Sequence, residues 1–284
     1  MRGRAVLAAL AAFTVLAGVG IVLVIKQIGD GFTLPRVSRS CVTEADGQVE
    51  LSPEQMANAA TIAAIGVQRG LPERAVIVAL ATAFQESQLR NLAGGDRDSV
   101  GLFQQRPSQG WGTPEQIQDT RYAATQFYAA LEQVRGWEKM RVTDAAQTVQ
   151  RSAFPEAYEK WSEDSTVLTR ALLGQFTGAV ACTVSREPAL RGDAATEALL
   201  RGLKLDWGVS RDAASPATAG LTLTAQDERQ GWRYAHWLVS HANDHGVQRV
   251  RFDDLEWTAA DGRWKSAEGE VTPGAVVAEV SADA

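Results

Sequence analysis

The strongest constraint on this chain is an uncharged apolar run near its start. Residues 5–25 read AVLAALAAFTVLAGVGIVLVI, with Thr14 as the single polar side chain. Such a run provides the ~20 residues that a helix needs to cross a bilayer. Arg2 and Arg4 precede it, which favours a cytoplasmic N-terminus. The sequence therefore predicts an N-terminal transmembrane helix that spans the cell membrane once, with the C-terminal part extracytoplasmic.

A cleaved signal peptide is the alternative to a retained anchor. Its apolar core is shorter, ~7–15 residues, and a small-x-small cleavage site follows it. Here KQIGDGF follows the run, without such a site. We therefore expect a membrane anchor over residues 1–30 and a polar stalk over residues 31–50. A single span cannot form a transport pathway by itself.

Charge and cysteine content narrow the possible functions further. The net charge is −6, so no basic surface indicates nucleic-acid binding. The chain has two cysteines, Cys41 and Cys182. Export favours a disulfide between them, and the alternative is two unrelated thiols. A bridge would bracket one domain of the chain.

Residues 51–185 have the pattern of a mainly α domain. Ser52 is an N-cap, Pro53 takes the first helical position and Gln55 completes a capping box. A second helix is predicted over residues 72–90, and Glu86 lies at the edge of its apolar face. A glycine-rich loop over residues 91–113 follows. One helix is then predicted from the Thr113 cap, and two more lie further along.

The remainder of the chain has a different composition. Residues 186–222 are rich in Pro, Gly, Ser and Ala, with one short helical pattern around AATEALLRGL. They are predicted to be a linker, with the edge of a second unit as the alternative. Residues 223–284 are predicted to be a small α+β unit, with a hairpin turn at Asp261–Gly262. Its helix carries His236, His241 and His245, but at 100° per residue His236 falls about 140° from His241. We therefore predict no metal site and no cofactor.

Glu86 is the carboxylate that most needs an explanation. A half-buried carboxylate is costly unless it is paired or used. An exported domain with one glutamate at a helix end suits glycoside chemistry, which needs a proton donor for the leaving oxygen. Partial burial beside apolar groups keeps a carboxyl group protonated. Ala83 and Phe84 are candidates for such apolar walls.

The stretch FQESQLRNLAGGDRDSVGLFQQRP, residues 84–107, resembles a known family. Its Glu-Ser, polar glycine loop and Gly-Leu-aromatic-Gln are similar to the lysozyme-like soluble lytic transglycosylases. The GGDRDSVGLFQQ segment also resembles goose-type lysozymes, which have a Gly-Asp-Arg and a Gly-Leu-Met-Gln in this order. The resemblance covers about residues 53–175. It implies a lysozyme-like domain that cleaves the glycan strands of peptidoglycan.

The resemblance also implies roles for individual residues. Glu86 matches the general acid, and Asp96 matches the aspartate of Gly-Asp-Arg. Asp96 or Asp98 would activate water in a hydrolytic enzyme, although both aspartates also suit a structural role in a turn. The residues expected to contact substrate are Ser87, Gln104, Gln105 and Tyr158. Gln104 and Gln105 equally suit hydrogen bonds to the loop backbone, and core packing is the default alternative for Tyr158. Trp111 and Tyr122 are further aromatic candidates for stacking on sugar, with core packing as the alternative.

Two departures from the family pattern leave the chemistry open. The usual Ala-Tyr-Asn-Ala-Gly segment is missing, and SAFPEAY, with Tyr158, occupies the corresponding region. Arg106 stands where goose-type lysozymes have an aspartate. One firmly matched carboxylate favours lytic chemistry, in which the 6-hydroxyl of the sugar replaces water. Hydrolysis by a muramidase is the alternative.

Three functional hypotheses follow from these features. The first is a membrane-anchored, extracytoplasmic lytic transglycosylase or muramidase whose partner is peptidoglycan. The second is a non-catalytic cell-wall-binding scaffold on a lysozyme-like fold. The third keeps the chemistry but places it in an envelope machine with unknown partners.

Overall fold

The structure is a computed structural model. It describes residues 39–152, 156–185, 187–210, 214–217, 220–269 and 272–283. The α-helices are α1 (Pro53–Gln68), α2 (Glu73–Ser87), α3 (Pro114–Ile117), α4 (Thr120–Glu132), α5 (Val142–Gln150), α6 (Ser162–Leu172), α7 (Gly192–Trp207), α8 (Glu228–Ser240) and α9 (Ala242–His245). Short 3-10 helices span Pro107–Gln109, Trp137–Lys139 and Glu159–Trp161.

The strands form two antiparallel sheets. The strands are β1 (Cys41–Glu44), β2 (Gln48–Leu51), β3 (Val180–Cys182), β4 (Ala214–Ala217), β5 (Gly220–Thr224), β6 (Val247–Phe252), β7 (Leu255–Thr258), β8 (Trp264–Ser266) and β9 (Ala275–Val280). The first sheet has the order β2-β1-β3 and the second the order β4-β5-β9-β6-β7-β8. The coarse prediction of helices combined with small antiparallel sheets is confirmed.

Helix α1 begins where the sequence predicts it. The Ser52 hydroxyl accepts a hydrogen bond from the Gln55 N–H, and the Gln55 side chain accepts one from the Ser52 N–H. This reciprocal cap satisfies two of the backbone donors that a helix start leaves free. Most of α1 is buried against α2, α4, α7 and α8, so it is the central helix of the core.

Helix α2 ends earlier than the sequence predicts, and this sets the position of Glu86. Gln88 and Leu89 both have left-handed backbone, with φ of 55° and 57°. Their N–H groups donate back to the carbonyls of Phe84 and Ala83. Such bonds satisfy the last carbonyls of a helix and stop its propagation. Glu86 therefore lies in the last turn of α2.

The predicted helix after Thr113 is two helices. Asp119 interrupts the segment because its carboxylate accepts hydrogen bonds from the N–H groups of Arg121 and Tyr122 and so caps α4. Asp is among the residues most favoured at such a position. The break leaves α3 as a single turn in front of α4.

The predicted disulfide is confirmed. Cys41 and Cys182 are bonded and face each other across the β1–β3 pair. Residues 41–51 form the β1–β2 hairpin, so this part of the predicted stalk belongs to the folded unit. Residues 31–38 of the predicted stalk and the predicted anchor at residues 5–25 lie outside the described residues. Among the described residues, no helix has both the length and the apolar character to cross a membrane.

The predicted linker also differs from the structure. Residues 186–222 contain α7, β4 and part of β5, and residues 39–284 cluster as one compact unit. The reason lies in Asp206 on α7, which is fully buried. It accepts hydrogen bonds from Thr61 of α1, Arg121 of α4 and Trp237 of α8. A buried carboxylate with these partners ties α7 to both parts of the fold.

Candidate functional site

Glu86 lies beside a buried aromatic cluster. The Tyr158 hydroxyl donates a hydrogen bond to Glu86 Oε1 over 2.7 Å. Tyr158 is fully buried, and Phe84 stacks on Trp161 with ring centroids 5.0 Å apart. Burial, and then the Glu86 carboxylate, hold the pKa of Tyr158 above its ordinary value. Tyr158 therefore stays a neutral hydrogen-bond donor at physiological pH.

Two side chains that the sequence did not single out help to build this cluster. The Trp161 ring N–H donates to the Gln85 side-chain oxygen over 3.0 Å, in addition to its stacking on Phe84. Trp161 follows Tyr158 by three residues, and both contact the last turn of α2. The three-residue spacing indicates that the two rings lie on the same side of a helical turn, but only the tertiary fold shows what they contact.

Ser87 connects the end of helix α2 to the turn at residues 101–104, which comes after the glycine-rich loop. Its hydroxyl lies 2.7 Å from the Leu102 carbonyl oxygen and 3.1 Å from that of Ala83. The side chain is buried. The hydroxyl thus contacts backbone, and Ser87 positions residues 101–104 against the end of α2. Its predicted contact with substrate stays a prediction.

The Gly-Leu-Phe-Gln turn depends on its glycine. Gly101 has φ of 78°, and a Cβ there would lie 2.8 Å from the Ile117 carbonyl oxygen. Gln104 also has a positive φ, of 47°, and its side-chain amide donates to the Gly101 carbonyl over 3.0 Å. The Gln104 side chain is half-buried and lies against Gly95. The turn therefore holds Gln104 between two glycine positions.

Gln105 points into the protein. It is 2 % exposed, and its amide donates to the Ala123 carbonyl of α4 over 3.1 Å. Its side-chain oxygen has no partner among the described residues. In the structure Gln105 therefore bonds backbone and packs inside the protein, as in the alternative to substrate contact.

The two aspartates of the loop have different surroundings. Asp98 accepts hydrogen bonds from Arg106 Nε and from the Ser108 N–H, each over 2.8 Å. The Ser108 N–H first, and then Arg106, hold the pKa of Asp98 well below its usual range. The Asp96 side chain is 91 % exposed and lies 4.0 Å from Arg97. Within the described parts of the chain, no hydrogen bond or ion pair joins either aspartate to Glu86.

The two other aromatic candidates are Trp111, which precedes α3, and Tyr122, which lies in the first turn of α4. Tyr122 lies against Gly112, where an added Cβ would stand 2.5 Å from its hydroxyl oxygen. Trp111 is half-buried and packs at the margin of the core. Tyr122 is also half-buried. Stacking of either ring on sugar stays a prediction.

His236 and His241 are buried around α8, and His245 is half-buried at the end of α9. His236 donates through Nδ1 to the Ala171 carbonyl over 2.8 Å, and its Nε2 accepts from the Ala179 N–H over 2.9 Å. His241 stacks on His245 and lies 3.4 Å from the Thr61 hydroxyl. Across the described residues, no group of histidine, cysteine, aspartate and glutamate side chains is arranged to hold a metal ion.

The sequence was also compared with known proteins. No model of a known protein family matches it, and no curated protein matches it. The site must therefore be interpreted from its own geometry. The site consists of Glu86 at the end of α2, the buried Tyr158 that donates a hydrogen bond to it, and the turn that carries Gln104.

Proposed function

We propose that this protein is an extracytoplasmic, membrane-anchored enzyme that cleaves the glycan strands of peptidoglycan, as a lytic transglycosylase or a muramidase. In this proposal the mainly helical part is a lysozyme-like domain and residues 5–25 are the anchor. The carrying observation is the hydrogen bond from the buried Tyr158 hydroxyl to Glu86. The disulfide supports an oxidising compartment.

The Tyr158 contact leaves one oxygen of Glu86 for chemistry. Tyr158 occupies Oε1, and a protonated Oε2 can deliver its proton to the leaving glycosidic oxygen. A fixed carboxyl group at the end of a helix transfers a proton more effectively than one on a mobile loop, because its distance to the bond is set in advance. The neutral tyrosine stays bonded to the carboxylate that forms.

The second half of the reaction distinguishes the two chemistries. In the lytic route the Glu86 carboxylate takes the proton of the 6-hydroxyl of the sugar as that oxygen bonds to C1, which gives a 1,6-anhydro end. In the hydrolytic route a second carboxylate activates water. Asp98 is already bonded to Arg106 and Ser108 in the turn, so the exposed Asp96 is the remaining candidate for the carboxylate that activates water. This arrangement favours the lytic route.

Product analysis tests the proposal. The full chain in detergent micelles would be incubated with purified peptidoglycan, and the released fragments would be analysed by mass. We expect 1,6-anhydro ends from the wild type and from Asp96→Asn. Reducing ends that disappear in Asp96→Asn would instead establish hydrolysis. Absence of any fragment, with binding to the polymer intact, would contradict the enzyme and support the non-catalytic scaffold.

A further inference from the structure

A cleft of about 890 Å³ lies next to the segment that carries Gln104. It is bounded by the chain after that glutamine, by the end of α4 and by the end of α5. Its apolar lining comes from Trp111, Val134, Met140 and Val149. Trp111 and Met140 are half-buried, so parts of both side chains are accessible from the cleft. A surface of this kind suits the flat apolar face of a sugar or an alkyl chain.

The charged side chains that line the cleft are all positive. Arg135 and Arg151 line it, and none of its lining residues is aspartate or glutamate. Both arginines are exposed, and neither forms an ion pair with a carboxylate in the described ranges. By contrast, Arg141 nearby is paired with both Asp144 and Glu156. Two uncompensated arginines are notable in a chain whose net charge is −6.

The cleft is joined to the site of Glu86 by a hydrogen bond. Gln150 lines the cleft, and its amide donates to the Phe103 carbonyl over 2.8 Å. Phe103 belongs to the turn that Ser87 holds through the Leu102 carbonyl. The cleft wall and the last turn of α2 therefore contact the same short segment.

We infer that this cleft binds the carboxylate-bearing peptide stems of the peptidoglycan strand on which Glu86 acts. The inference rests on the proposed function, because that function supplies the polymer. Guanidinium groups match the geometry of carboxylates and bind them through paired hydrogen bonds. A strand stripped of its stems keeps only the lactyl carboxylate of its muramic sugars, so it offers Arg135 and Arg151 fewer carboxylates than a strand with its stems. The cleft therefore selects strands that still have their stems.

Binding to two defined probes tests this inference. The probes are soluble glycan strands with intact peptide stems and the same strands after removal of the stems. All binding is measured on the full chain carrying Glu86→Gln, so that cleavage does not consume the probe. The test variant adds Arg135→Gln and Arg151→Gln. Glutamine is tolerated at the left-handed position of Arg151, since Gln88 and Gln104 adopt such backbone in this protein.

The matched control removes two charges elsewhere. Arg201 and Lys204 are exposed on α7, and their replacement by glutamine lowers the net charge equally. Helix α7 contacts the start of α4 through Asp206 and Arg121. The cleft lies at the other end of α4, about 18 Å away along the helix axis.

We expect the test variant to bind stem-bearing strands about tenfold more weakly, from roughly 0.7 kcal/mol for each exposed charge contact. The control should be unaffected, stripped strands should bind equally to all variants, and Arg135→Lys with Arg151→Lys should restore much of the binding. An unchanged affinity of the test variant for stem-bearing strands would overturn the inference. An equal loss on stripped strands would also overturn it, because the arginines would then contact sugar.

The outcome is separable from that of the proposed function. If the wild type cleaves the polymer and the arginine substitutions do not change binding, the proposed enzyme stands and the proposed stem-binding cleft is refuted. Stem-dependent binding without any cleavage keeps the stem site on a non-catalytic protein.

Discussion

Burial of His236 makes the stability of the fold depend on pH. Its ring is fully buried, and both ring nitrogens have backbone partners, the Ala171 carbonyl and the Ala179 N–H. The Ala179 N–H requires a lone pair on Nε2, so the neutral imidazole is the form that fits. Burial lowers the pKa of His236 from 6.5 to about 4. Protonation of this ring would therefore break a hydrogen bond between α8 and the chain before β3.

The sign and size of the effect follow from this pKa difference. Above the unfolded pKa of 6.5 both states are neutral, and His236 makes no pH-dependent contribution. Below it the unfolded chain binds a proton that the folded chain does not bind, so stability falls as the pH falls towards 4. One pKa unit corresponds to about 1.4 kcal/mol, so lowering the pH from about 7.5 to about 5 removes roughly 2 kcal/mol.

Denaturant unfolding at these two pH values measures the contribution. The variant His236→Gln retains an amide N–H and a carbonyl oxygen but cannot titrate. We expect the free energy of unfolding of the wild type to fall by about 2 kcal/mol more than that of the variant over this interval. Other groups, including His241 and His245, titrate in both proteins and cancel in the comparison. Equal losses in the two proteins would refute the assignment of a buried neutral His236.

Three further predictions concern the candidate site and the disulfide. Tyr158→Phe should lower kcat/KM about tenfold to a hundredfold, since a hydrogen bond to a charged group contributes roughly 1.5–3 kcal/mol, and steady-state cleavage rates would show it. A full rate would mean that the hydroxyl does not position Glu86. Gly95→Ala should reduce cleavage with little change in melting temperature, because its Cβ would lie 1.7 Å from the Gln104 side-chain oxygen and displace that flexible amide. Unchanged cleavage would remove Gln104 from the site. Cys41→Ser opens a disulfide with a sequence separation of 141 residues and should cost up to about 5 kcal/mol in denaturant unfolding. A loss below about 1 kcal/mol would argue against stabilisation by loop closure.

Features with local causes could be predicted from the sequence. The start of α1 follows from the Ser52 and Gln55 cap, which lies within four residues. The pairing of Cys41 with Cys182 followed from counting two cysteines in a chain that was predicted to be exported. Glu86 was found from its position at a helix end before a glycine loop. Each of these inferences needs only neighbouring residues or a count.

Other local signals were present but were not used. Asp119 has the side chain of an N-cap and divides the helix that was predicted as continuous. Asp46–Gly47 is a turn sequence, and it connects β1 to β2 where a stalk was expected. In both cases the residue types pointed to the observed structure.

Contacts between distant segments could not be predicted. The burial of Gln105 depends on the Ala123 carbonyl of α4, which only the packed fold brings within reach. The same is true of Asp206, whose partners come from three other helices. A composition rich in small residues therefore suggested a linker where a buried carboxylate holds the fold together.

The dependence of cleavage on Glu86 is the most direct test of the account. Initial rates of glycan cleavage would be measured for the wild type, for Glu86→Gln and for Glu197→Gln, the last an exposed glutamate on α7. The account predicts that Glu86→Gln loses about 10²–10⁴-fold in rate, the usual contribution of a general acid, while Glu197→Gln keeps the wild-type rate. A Glu86→Gln protein that cleaves at the wild-type rate would contradict the central claim.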